Sequence, residues 1–187
     1  MATLTRDNLW DVSSRTIVYA AIGAALYAIA SQFSFLLPGS GSVSIRPAFA
    51  FVTFFGFAFG PIVGLFVGLV GNMIGDQISG WGLLTSWNWS IAVGAVGFIA
   101  GLTPLYLGNM MRTRTGTLLA SVIGSVVAVV IGLLIVFTDM ILGTAEGFKE
   151  ALTANYAPAV ISDIIVVAIL TPILVAAWEP VKDQLGR

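Results

Sequence analysis

Arg46, Asn72, Asp76, Trp87, Asn88, Asp139, Tyr156 and Asp163 stand out in a chain that is otherwise almost wholly apolar. Their chemistry is recognition rather than bond-making. A guanidinium, carboxylates and amides supply directed hydrogen bonds, and the aromatic rings supply flat walls. No histidine and no cysteine is present. That removes imidazole acid–base catalysis, thiol nucleophiles, disulfides and histidine–metal sites, so neither a catalytic residue nor a metal ligand set is assigned. An ionisable group inside hydrocarbon costs at least ~2.5 kcal/mol on insertion scales, so such residues face protein, a cavity or the headgroups.

Each of these residues also has a plainer reading. Asn72 and Asp76 are four apart, which puts them on one helix face together with packing glycines. This favours a buried site for the pair. Arg46 could latch onto Asp76 or hold an anionic group of a solute, and both hold if the latch is a gate. Asp139 and Asp163 lie at similar depth to Asp76 on other helices, or else face interfacial water. Trp81, Trp87 and Trp89 suit the aromatic belt at the headgroups. Read as a wall for a flat ring, only one of Trp87 and Trp89 can face a pocket, because two helical steps turn them about 200° apart. Asn88 would supply hydrogen bonds beside that wall, and Asn155 and Tyr156 would cap it from the next loop.

The elements that position these side chains are membrane spans. Of 187 residues, 58% are hydrophobic and only 9% charged. Soluble domains carry about 25% charged residues, so lipid must cover this surface. The expected fold is all-α, a single integral membrane domain over 1–187 with six helices. The spans are read at about 16–37, 46–59, 61–78, 87–107, 117–142 and 157–178. The polar start of the chain lacks the features of a removed signal peptide, so the first span is read as retained. A flexible Pro38-Gly-Ser-Gly-Ser loop ends span 1, and Pro47 suits the first turn of span 2. Span 2 reaches only about 20 Å against a hydrocarbon core of ~30 Å, so it must be buried by neighbours or extended by its flanks. Gly60, Gly64, Gly68, Gly71 and Gly75 give span 3 a bare packing face. Gly94, Gly97 and Gly101 do the same for span 4.

Lysine and arginine set the orientation. Arg6, Arg15, Arg112, Arg114, Lys182 and Arg187 fall on the side of the termini, against Arg46 and Lys149 on the other. Both termini are therefore expected in the cytoplasm, with the acids in the outer half. Ala21 and Ala25 form a small-x-x-x-small stripe in span 1, read as lying in its cytoplasmic half. Ala20, Ala24 and Ala28 form a second stripe turned ~100° from the first. Such stripes often pack a protein against itself; here one can serve the bundle while the other docks a partner. No Gly-x-x-x-x-Gly-Lys-Ser/Thr phosphate loop occurs, so ATP, if used, belongs to another subunit. A net charge of -1 gives no reason to expect nucleic acid as a partner.

Three stretches together carry a resemblance. They are Ala-Ala-Ile-Gly-Ala-Ala-Leu-Tyr-Ala from Ala20, Ile-Arg-Pro-Ala-Phe-Ala from Ile45, and the glycine-rich run from Phe55 to Gly75-Asp76. In that order and spacing the chain resembles, over nearly its whole length, the S component of energy-coupling factor (ECF) transporters. Within that family it looks most like the riboflavin-type branch. The resemblance implies six helices and a pocket closed by the loops between spans 1–2, 3–4 and 5–6, loaded from outside. It implies docking through Ala21 and Ala25 on a transmembrane coupling protein driven by two ATPase subunits, with toppling in the membrane as the transport motion. No cofactor is implied for this chain; ATP is used by the partner subunits. Positions near Arg46, Asp76, Asn88, Asp139 and Asp163 fall where the family's pocket residues gather.

The expected function is a high-affinity binding subunit of an ABC-type importer in a bacterial or archaeal membrane, for a vitamin or related micronutrient. An acidic, tryptophan-rich outer half suits a flat nitrogen heterocycle with an amine or several N–H donors. Thiamine or pyrimidine, flavin, pteridine and queuosine-precursor compounds fit; a simple dicarboxylate does not. One rival is an intramembrane enzyme using Asp76 and Asp163 as an acid pair, about 5–9 Å apart. Another is a small channel or scaffold, although the inner half offers few polar residues to line a path.

Overall fold

A computed structural model describes residues 9–10, 12–36 and 44–184. The loop at 38–42, the first eight residues with Arg6, and Arg187 lie outside the described residues. The elements in order are α1 (Ser14–Ala30), β1 (Phe35–Leu36), β2 (Ser44–Ile45), α2 (Phe49–Phe59), α3 (Pro61–Ile78) and α4 (Trp87–Gly101). There follow α5 (Thr103–Leu107), a 3-10 turn at Met110–Arg112, and α6 (Arg114–Gly132) running into a 3-10 stretch at Leu133–Thr138. The chain ends with α7 (Asp139–Leu142), α8 (Phe148–Glu150), a π-helical turn at Ala151–Tyr156 and α9 (Ala157–Gln184).

Four stretches are long and apolar enough to cross a membrane: Pro61–Ile78, Trp87–Leu107, Arg114–Leu142 and Phe148–Lys182. The helices α1 and α2 are apolar but shorter, at 17 and 11 residues. As its length demands, α2 is buried on nearly every side, among α1, α3, α4 and α9. A helix apolar all round has no solvent face to offer, and this one sits in the middle of the bundle.

Several boundaries differ from the periodicity reading. The first helix stops at Ala30 rather than continuing to 37. Ser31 Oγ donates to the Ala28 carbonyl at 2.8 Å, and Gln32 Nε2 donates to the Ala28 and Gly75 carbonyls at 3.1 and 3.2 Å. These side chains take over acceptors at the helix end and tie it to α3, after which the chain runs extended. The two strands pair antiparallel, Phe35 with Ile45 and Leu36 with Ser44. Pro47 lies before the helix start at Phe49, within a tight turn whose carbonyls at Arg46 and Pro47 accept from Phe49 and Ala50. α6 begins three residues earlier than 117, because the Thr113 hydroxyl caps it by accepting from Gly116 N–H at 3.1 Å. The last helical run reaches back to Phe148 through the π turn, so Asn155 and Tyr156 sit on a helix rather than in a loop.

The glycine faces meet. Gly64 and Gly68 of α3 lie against α4, and Gly71 and Gly75 lie against α1 and the residue that follows it. A Cβ placed on Gly64 or Gly97 would collide with the carbonyl of the other, and one on Gly71 would lie 3.0 Å from Tyr27. This close approach is what small residues permit where lipid gives no hydrophobic drive. Gly97→Val should therefore lower stability by about 3 kcal/mol, the upper range for overpacking, because the atom it strikes is backbone and cannot give. Thermal unfolding in detergent measures this. At the far end of α1 and α2 from Arg46, Tyr19, Phe55, Phe59 and Trp178 stack, with Tyr19–Phe59 centroids 4.3 Å apart. That apolar plug leaves the opposite end of the bundle for the polar residues.

Candidate functional site

The polar residues form two separate clusters. The first is built around Asn72, four residues before Asp76 on α3 and 1% exposed. Its Oδ1 accepts from Tyr27 OH at 3.0 Å and from Arg46 Nη1 at 3.1 Å. Its Nδ2 donates to Asp76 Oδ2 and to Ser90 Oγ, each at 3.0 Å. One amide thus joins α1, the end of the β hairpin, α3 and α4. The hairpin delivers Arg46 into the bundle directly after β2. Arg46 Nη1 stands 4.0 Å from Asp76 Oδ1, an ion pair without a hydrogen bond. The latch between Arg46 and Asp76 therefore exists, with Asn72 as its bridge.

Asp163, on α9, is 2% exposed and lies within coulombic reach of Arg46 and Tyr27. It does not face interfacial water. Its Oδ1 has no hydrogen-bond partner among the described residues.

The second cluster is built around Asp139 at the start of α7, 3% exposed. Oδ1 accepts from Asn88 Nδ2 at 2.7 Å, and Oδ2 accepts from Asn155 Nδ2 at 2.8 Å and Trp89 Nε1 at 3.2 Å. Asn88 also donates to Thr138 Oγ1 at 3.0 Å. This carboxylate is satisfied by protein donors from α4 and the π turn, and it fastens the end of α6 to both. Both Asp139 carboxylate oxygens and the Asn88 amino group are thus engaged within the protein. Asp139→Ala strands the donors of Asn88, Asn155 and Trp89 and should cost about 3 kcal/mol. Ligand affinity per folded molecule should stay unchanged; titration calorimetry beside a melting curve separates the two effects.

Two expected residues fall in neither cluster. Trp87 is 45% exposed, and Trp89 is the tryptophan that turns inward. The separation of about 200° allowed at most one of them to do so, and packing chose Trp89. Tyr156 donates to the Val130 carbonyl at 2.8 Å and lies against Phe137, 5.1 Å between centroids. Tyr27 and Ser90 were not among the expected site residues. Ser90 precedes Gly94 by four and Gly97 by seven, so the α4 glycine face already pointed to it. Tyr27 lies three residues after Ala24, on the face of the inner alanine stripe.

That stripe is inward: Ala20, Ala24 and Ala28 are 8%, 3% and 2% exposed. Ala21 and Ala25 are exposed, beside Ile22 and Leu26. Because α1 ends at Ala30, these alanines straddle its middle rather than occupying one half. They are separated from the Asn72 cluster by helix face, not by depth.

Residues 11–179 match the family described as ECF-type riboflavin transporter, S component. A UPF0397 protein of Vibrio atlanticus (strain LGP32) is 37% identical over 102 residues, covering 54% of this chain and 55% of that protein. A UPF0397 protein of Aliivibrio fischeri (strain MJ11) is 37% identical over 103 residues, covering 55% of each chain. The chain thus spans about half the length of the curated relatives it matches. A solved S component of a bacterial ECF transporter superposes with a TM-score of 0.58 at 14% identity, covering 92% of this chain and 98% of that one. The fold is therefore shared with a solved S component. With its apolar helices and its match over residues 11–179, this chain belongs to the ECF-type riboflavin transporter S component family, whose members are multi-pass membrane proteins that bind substrate rather than enzymes.

Proposed function

We propose that this chain is the substrate-binding S component of an ECF-type importer that takes up a flat nitrogen heterocycle of the vitamin class. It binds the solute from outside in the region of Arg46, Asp76 and Asp163, with Tyr27, Asn72 and Ser90 as scaffold. It crosses the membrane six times with both termini in the cytoplasm, the short α2 being sheltered by its neighbours. The exposed Ala21 and Ala25 dock on a transmembrane coupling protein, and two ATPase subunits use the ATP. The observation that carries this reading is the buried polar cluster on Asn72, which holds the Arg46 guanidinium in the bundle, with Asp163 Oδ1 buried and without a hydrogen-bond partner among the described residues. A packing motif alone would have no need of Arg46 or Asp163. With Asp139 satisfied internally, the acidic character available to a solute rests on Asp76 and Asp163 and is offset by Arg46.

The test is to purify the chain in detergent, identify any co-purified small molecule by mass spectrometry, and show that it raises the melting temperature without being converted. A heterocycle is expected. An acidic aliphatic ligand, or turnover of the bound compound, would overturn the proposal.

A further inference from the structure

The unused valences around Arg46 say what a bound molecule must offer. Asn72 has none left, since its carbonyl accepts from Tyr27 and Arg46 and its amino group donates to Asp76 and Ser90. Arg46 gives one N–H to Asn72 and stands at ion-pair distance from Asp76, while its guanidinium fork carries five N–H donors in all. Asp163 brings a buried carboxylate oxygen with no hydrogen-bond partner among the described residues. Buried polar atoms are nearly always paired, and leaving a charged one unpaired is costly, so such an oxygen needs a reason. The other two atoms of this kind differ: Ser125 Oγ is an uncharged hydroxyl, and Glu179 has its second oxygen on Arg114 at 3.0 Å. Among the described residues, Asp163 alone combines an unpartnered carboxylate oxygen with the lack of any ion pair, and its helix α9 packs on β2, directly before Arg46.

We infer that Asp163 and Arg46 together read a donor–acceptor edge of a ring that is neutral at that edge. Asp163 accepts from a ring or exocyclic N–H, and Arg46 donates to the adjacent carbonyl or ring nitrogen. A cationic group there would face the guanidinium, and an anionic one would face the carboxylate; a neutral edge satisfies both. Lactam, imide and aminopyrimidine rings present such an edge. Asn72, held by Tyr27 and Ser90, fixes Arg46 in register and is a positioning residue. The inference rests on the binding reading above and assigns its specificity.

The full chain in detergent is titrated with riboflavin, biopterin, deazaguanine and thiamine, which carry the edge, and with nicotinate and pimelate, which do not. At least one of the first group should bind and neither of the second. For the compound that binds, Asp163→Asn and Arg46→Gln should each weaken affinity about 100-fold or more, the scale of a site built to pair with a substrate N–H. The unliganded melting temperature of Asp163→Asn should stay level or rise, because a buried unpaired charge is removed. Methylating the N–H of the bound compound should cost as much in the native protein, a readout independent of how the variants fold. Binding by nicotinate, or affinity indifferent to both substitutions and to methylation, overturns the inference and leaves the binding reading standing; binding by pimelate, an acidic aliphatic, overturns both. No binding by any compound together with no co-purified molecule overturns the binding reading itself. A co-purified heterocycle without the edge overturns the inference alone.

Discussion

Asn72→Leu should cost about 3–5 kcal/mol of stability, the range for breaking a buried charged network at one member. Leucine keeps nearly the volume but removes the carbonyl and amino group that together serve Tyr27, Arg46, Asp76 and Ser90. Arg46 and Asp76 would then face each other at ion-pair distance without a bridge, and the Tyr27 hydroxyl would be buried at 0% exposure with nothing to donate to. Tyr27→Phe removes one bond and both of its unmet needs, so it should cost only about 1 kcal/mol. Chemical or thermal unfolding in detergent orders the two variants. Should Asn72→Leu unfold like the native chain while losing ligand, Asn72 is a solute contact and not the bridge.

Ala25→Trp should cut co-purification with the coupling protein and the ATPases about tenfold or more while ligand binding stays intact. Small-residue faces let helices approach closely, and an indole on that face holds them apart; each 1.4 kcal/mol lost at the interface is a factor of ten. The geometry makes this a demanding test. Ala25 is exposed, yet Tyr27, two residues on, is buried and bonded to Asn72. One helix then carries the proposed docking face and the scaffold of the proposed pocket on opposite sides. Loss of ligand binding with assembly preserved would show that the outward face of α1 supports the pocket instead. Pull-down with the coupling protein and ligand titration on the same preparation give both readouts.

Much of the scaffold was legible along the chain because it rests on local chemistry. Glycine–proline at 60–61 starts α3, and the helix runs over the expected 61–78. The spacing of Asn72 and Asp76 places both on one helix face whatever surrounds that helix, and the hydrogen bond between them confirms the face. Two alanine stripes on α1 are likewise a matter of helical angle. Helix bounds were missed where a side-chain hydrogen bond, not the apolar pattern, fixed the helix end. Gln32 ends α1 by reaching Gly75, forty-three residues on. Thr113 starts α6 early through a cap that periodicity does not weigh.

What the sequence by itself determined is the class of molecule: an apolar helical chain with no catalytic imidazole or thiol, glycine faces for close packing, and a few charges too costly to be idle. Tertiary structure decided which of those charges are spent. Asp139 is consumed by Asn88, Trp89 and Asn155, and Asn72 by its four neighbours, whereas Asp163 Oδ1 has no partner among the described residues. The same packing chose Trp89 over Trp87 and turned Ala24 in and Ala25 out. The physical reason is common to these cases. Helical periodicity fixes the angle between side chains on one element, but a hydrogen bond is satisfied or left open by groups on other elements, and their arrival is settled only when the helices pack.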